Sequence, residues 1–105
     1  MLKSQDRPAK RTLDIHGAFV RRADLSGASL RGANMAGADA TNAVLRDVDF
    51  NNAILRGTIL RGADLTGAKN LTVEQLSEAV IDDQTILPSY IDRAKLRMLV
   101  RDLSK

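Results

Sequence analysis

The sequence predicts an all-β solenoid of stacked short coils with a helical C-terminal segment. Three observations carry that prediction: an apolar residue at every fifth position, a column of alanines in step with it, and glycines at the same interval. From Ile15 the fifth residues are Val20, Leu25, Leu30, Met35, Ala40, Leu45, Phe50, Leu55, Leu60 and Leu65, so all eleven are apolar. Two residues before each centre stand Leu13, Ala18, Ala23, Ala28, Ala33, Ala38, Ala43, Val48, Ala53, Thr58 and Ala63. At an apolar fraction of 44%, such a run arises by chance about once in ten thousand, so the period has a structural cause.

A period of five fits neither a helix nor a long strand. Within one unit the physics is simple. Residues two apart in extended chain point the same way, so the alanine and the large residue face inward and the residue between them faces out. The last two residues must turn the chain, or the next unit would invert its faces. Gly17, Gly27 and Gly32 begin a series of glycines at that corner. One large and one small residue then fill each side, and coils stack at about 4.8 Å. Ala40 at a centre predicts thin packing there, and Val48 and Thr58 in the alanine column predict local widening.

The units ADLSG at 23–27, ASLRG at 28–32, ANMAG at 33–37 and ADLTG at 63–67 resemble those of the pentapeptide-repeat family. The resemblance implies a right-handed quadrilateral β-helix with four units per turn. Its eleven units then make about three coils over residues 13–67. The segment 67–88 also resembles the terminal segment of many family members.

After Gly67 the fivefold pattern stops, and residues 68–105 read as a cap with one short and one longer helix. Thr72-Val73-Glu74-Gln75 fits a capping box, followed by an apolar face of Val73, Leu76 and Val80. Residues 81–90 read as an extended turn region punctuated by Pro88. A second helix is expected from about Ser89 to Leu103. It carries two apolar stripes, Leu96, Leu99, Val100 and Leu103 on one side and Ile91, Ala94 and Met98 on another, with Arg93, Arg97 and Arg101 between them. Either both stripes bury against the domain, or one docks a second copy or another protein. The resemblance implies the second, since several family members dimerise through C-terminal elements. Four outward positions are apolar: Phe19, Val44, Ile54 and Ile59. They are either covered by the C-terminal segment or left as a binding patch, with Ile54 and Ile59 on adjacent sides.

The net charge of +3 lies in residues 1–12, a basic segment expected to be a flexible tail. Residues 13–67 hold six Arg and six Asp, and residues 68–105 are also balanced. Such a body has no field to steer a nucleic acid, and its arginines lack an aromatic stacking platform. Cysteine is absent and His16 is the only histidine, so no Cys/His metal cluster or nucleophile pair can be built. Asp14, Asp24, Asp39, Asp49 and Asp64 recur with the repeat, which points to a structural or solvated role. No cofactor is expected. No apolar run approaches a membrane span, and MLKSQDRPAKRT lacks the apolar core of a secretory signal. A cytoplasmic, non-enzymatic chain is therefore expected.

The expected function is a protein–protein interaction or scaffold module with an unidentified protein partner, and with possible self-association through the C-terminal helix. The resemblance also raises a DNA-mimic modulator of a topoisomerase such as gyrase. The neutral repeat region and a length on the order of 15 Å count against that alternative. Membership of a bacterial defence or toxin–immunity assembly is a third reading that the residues neither favour nor exclude.

Overall fold

Each five-residue unit closes on itself before it meets its neighbours. The carbonyl of the large inward residue accepts the N–H three residues on, as in Ile15 to Ala18 at 3.0 Å and Leu30 to Ala33 at 3.0 Å. This turn needs a left-handed residue at its second corner. Glycine fills it seven times, at Gly17, Gly27, Gly32, Gly37, Gly57, Gly62 and Gly67. Asn42, Asp47, Asn52 and Asn70 take the same conformation, and so does Arg22 with φ of 60°. Asn and Asp tolerate that region better than other L-residues. The outward Asp or Asn closes the turn a second time. Asp24, Asn34, Asp39, Asp49 and Asp64 each accept the backbone N–H two residues on, at 3.0–3.1 Å. The periodic aspartates are thus turn formers.

The computed structural model describes residues 13–101. Its coils stack in parallel, each outward residue bridging the one twenty residues later. Four bridging positions per period define four sides. The first carries Asp14, Asn34 and Ile54; the second Phe19, Asp39, Ile59 and Val80; the third Asp24, Val44, Asp64 and Ile86; the fourth Ser29, Asp49 and Lys69. The bonding runs both ways between coils. The N–H of Asn34 donates back to the Leu13 carbonyl at 2.8 Å, and those of Ile15 and Gly17 donate forward to Asn34 and Ala36 at 2.9 and 2.8 Å.

The inward columns form the core. Met35, Leu45, Phe50, Leu55, Leu60 and Leu65 are fully buried, each large side chain contributing about 1.5–3 kcal/mol. Ala40, expected to be thinly packed, is also fully enclosed. Buried Thr58 holds its place in the alanine column by donating its hydroxyl to the Met35 carbonyl at 2.7 Å. Thr85 does the same to Leu60 at 2.8 Å.

The ladder outlasts the sequence pattern. Lys69 bridges Asp49, and Ala68 and Leu71 are buried. The first side is then interrupted by α1, Val73–Ser77. The Thr72 hydroxyl accepts the Gln75 N–H, and the Gln75 side-chain Oε1 accepts the Thr72 N–H at 2.8 Å, completing the capping box. Val80, read from sequence as part of this helix's face, belongs instead to the second side. The helix stops because the Glu78 carbonyl accepts the Gly57 N–H at 2.8 Å, which returns the chain to the coil. Residues 81–90 are likewise not only turn. Ile86 bridges Asp64, and the offsets of twenty-one residues for Ile59–Val80 and twenty-two for Asp64–Ile86 absorb the extra corner residues.

The second helix, α2, runs Arg93–Arg101 rather than from Ser89. Asp92 sets its start by accepting the N–H groups of Ala94 and Lys95 at 3.0 and 3.3 Å. Ser89 and Tyr90 belong to the preceding turn, where Ile91 donates to the Pro88 carbonyl. α2 packs against α1, with Ile91 and Leu96 buried in the core.

Candidate interaction surface

The twenty-residue register sorts the outward apolar residues. Phe19 and Ile59, forty residues apart in sequence, share the second side with only Asp39 between them. At strand spacing they lie about 10 Å apart. Val80 extends the column by one rung. Phe19 is 73% exposed, and Ile59 and Val80 are half-buried. Asp39, the one acidic rung, is neutralised in place. Arg21 Nε donates to its carboxylate at 2.8 Å, and the Thr41 hydroxyl also donates to it, at 2.6 Å. The Thr41 hydroxyl, against the opposing pull of desolvation and helped by Arg21, holds this carboxyl below its ordinary value.

Arginines border the column at both corners. Arg21, Arg22 and Arg61 stand at the corner toward the third side, and Arg56 at the corner toward the first, where Ile54 is exposed. The Arg21 guanidinium also lies over the Phe19 ring, 5.1 Å from its centroid. A coil-to-coil rule governs the other arginines. Arg31 donates to Asp49 and Arg46 to Asp64, both at 3.0 Å and both eighteen residues on, as Arg21 does to Asp39. Extended by the same step, Arg56 reaches the position of Glu74 and Arg61 that of Ala79. Neither forms an ion pair among the described residues. The result is a column of Phe19, Ile59 and Val80, interrupted by Asp39 and bordered by arginines.

The C-terminal candidates divide. Ile91 and Leu96 are core residues. Arg93 is turned inward, its guanidinium donating to the Thr85 carbonyl. Met98 and Leu99 are exposed on α2, with Arg97 also exposed. The side chains of Val100 and Arg101, all of Leu103 and the basic segment 1–12 lie outside the described residues. Sequence reasoning missed Arg22 and Val80. Arg22 had a signal: it occupies the glycine position of its unit. Val80 had none, because its offset breaks the period.

Three side chains meet the last regular rungs where the coil stops. The Gln75 amide donates to the Phe50 and Ala53 carbonyls, both at 2.9 Å. The Asp82 carboxylate accepts the Gly62 N–H at 3.1 Å. The Tyr90 hydroxyl donates to the Ala68 carbonyl at 2.5 Å and accepts the Leu71 N–H at 3.2 Å. Among the described residues no group of three or more His, Cys, Asp or Glu side chains could hold a metal ion. No helix among them is long and apolar enough to cross a membrane.

No curated protein matches the chain in sequence. Among solved structures it is similar to a pentapeptide repeat protein from the cyanobacterium Cyanothece 51142, at 28% identity and a TM-score of 0.66 over 73% of this chain and 52% of that one. The chain thus spans about half the length of that protein. A pentapeptide repeat protein from Nostoc Pcc 7120 matches at 25% identity and a TM-score of 0.35, covering 81% of this chain and 82% of that one. One from the Arabidopsis thaliana thylakoid lumen matches at 24% and 0.31, covering 70% and 57%. The model of pentapeptide repeats matches residues 14–47 and 43–72 in eight copies, more than half of the sequence. With the four-sided, twenty-residue coil, this places the chain in the pentapeptide repeat family, whose fold is the right-handed quadrilateral β-helix.

Proposed function

We propose that the chain is a non-enzymatic protein-interaction module that docks a protein partner on its second side. The observation that carries this reading is the column of Phe19, Ile59 and Val80, bordered by Arg21, Arg22, Arg56 and Arg61. In this reading α1, α2 and the side chains of Gln75, Asp82 and Tyr90 form a C-terminal cap that keeps the rod soluble. Affinity capture with the intact chain and with Ile59→Lys tests it. Position 59 faces outward, and lysine occupies the equivalent place at Lys69, so the variant should melt like the parent. A partner that is held by the parent and lost by Ile59→Lys supports the second side. A partner held equally by both removes it.

A second reading has its own observation. Met98 and Leu99 are exposed on α2, which favours self-association through that helix. Mass measurement in solution should then give a dimer that Leu99→Glu converts to a monomer, and a monomeric parent would end this reading. A DNA-mimic role draws no support from charge, because residues 13–67 are neutral where a mimic would be acidic.

A further inference from the structure

One unit of the solenoid breaks two of its rules at once. Where Asp24, Asn34, Asp39, Asp49 and Asp64 close their turns with a side-chain oxygen, Phe19 has none to offer. Other units also forgo that bond, at Val44, Ile54 and Ile59. Only here does the same unit break the corner rule as well. Among the described residues, every other left-handed position is glycine, asparagine or aspartate, and Arg22 alone is none of these. Its Cβ makes that conformation unfavourable.

Among the described residues the compensation is partial: the Arg21 guanidinium lies over the Phe19 ring. Phe19 is 73% exposed. Arg22 is exposed and makes no ion pair among the described residues. Local strain at Arg22 and a Phe19 ring left largely exposed point to an outside partner. Arg21 is already oriented for one. Asp39 fixes its Nε, and its guanidinium lies over the Phe19 ring.

We propose that the corner Phe19–Arg22 binds an acidic segment of a partner protein in which carboxylates alternate with apolar side chains. This rests on the reading of the second side as a docking surface and names what docks there. Arg22, which makes no ion pair among the described residues, supplies a cation for a carboxylate. Phe19 supplies an apolar neighbour for the next side chain, and Ile59 and Val80 continue that strip. A nucleic acid fits less well. The strip is aliphatic beyond Phe19, and no second exposed aromatic shares this side.

The test uses the full chain with a labelled peptide of alternating glutamate and phenylalanine. Polyglutamate and a single-stranded oligonucleotide serve as alternative probes, and the readout is fluorescence anisotropy at physiological salt. Arg22→Gly restores the corner residue that most units use, and Phe19→Asn restores the turn closure seen at Asn34. Each should melt no lower than the parent and bind the alternating peptide about tenfold more weakly. Stabilisation together with lost binding is the signature of residues kept for a partner. Lower melting temperatures would make them packing residues and overturn the proposal. So would unchanged affinity, no binding by the parent, or equal binding of polyglutamate or the oligonucleotide. A captured partner lost by Ile59→Lys but held by both corner variants would leave the docking side standing and sink only this inference.

Discussion

At the residue scale, the corners set the tightest limits on substitution. Gly27 and Gly62 both have positive φ. A Cβ at Gly27 meets nothing within 4 Å, whereas one at Gly62 overlaps Oδ1 of Asn42, the side chain one coil below. Gly27→Ala should therefore cost only the left-handed penalty, about 1 kcal/mol. Gly62→Ala should cost more, and Asn42→Gly should recover the difference. Thermal melts of the two single variants and the Asn42→Gly/Gly62→Ala pair measure this, and equal losses at Gly27 and Gly62 would contradict it. The inward columns at this scale were legible in the sequence, because their period repeats through the chain. The exceptions carried the information that was hard to read. Arg22 stands in a column of glycines, but only its φ reveals that it adopts a glycine's conformation. The hydroxyls of Thr58 and Thr85 find carbonyls on the coil below, a partnership no local pattern announces.

At the element scale, α1 replaces a side of the coil, and Gln75 makes the replacement work. Its carbonyl oxygen serves the helix start while its amino group serves the Phe50 and Ala53 carbonyls. Gln75→Glu keeps the size and the acceptor but loses both donors and sets a carboxylate against two carbonyl oxygens. It should lower stability by about 2–4 kcal/mol in urea unfolding at neutral pH. An unchanged midpoint would mean that water satisfies those carbonyls. The capping box was readable because all its partners lie within four residues. The return of Val80 and Ile86 to the ladder was not, since offsets of twenty-one and twenty-two residues erase the repeat. The start of α2 was misplaced because Ser89 and Asp92 both qualify as caps, and the tertiary role of Tyr90 decides between them.

At the scale of the whole molecule, the coils are tied by Arg–Asp pairs on three different sides, all in the same eighteen-residue step. Asp49 is the most perturbed of these carboxylates. The Asn70 amide, the Asn51 N–H and Arg31 hold it down at about 2, against an ordinary 3.8. Thr66, against desolvation and with help from Arg46, also holds Asp64 low. A carboxyl depressed in the folded state favours folding above its unfolded value and loses that contribution as pH falls toward its folded one. The contribution of these carboxylates to the melting temperature should therefore be level above pH 3.8 and decline from there toward about 2. Asp49→Asn should show a shallower decline; an identical acid profile would remove Asp49 as a contributor. The units of five were visible in the residues themselves, but how many close a turn came only from the family resemblance. Phe19 and Ile59 read as separate exceptions until the fold set them in one column.

That register makes chain length a measure of angle. Each five residues advance the path by a quarter turn, so an insertion of one unit between Phe19 and Ile59 would leave every unit intact yet rotate everything beyond it by about ninety degrees. Twenty residues would restore the bearing and only lengthen the rod. A chain of this kind tolerates whole turns freely and single units only at the cost of re-aiming its surface.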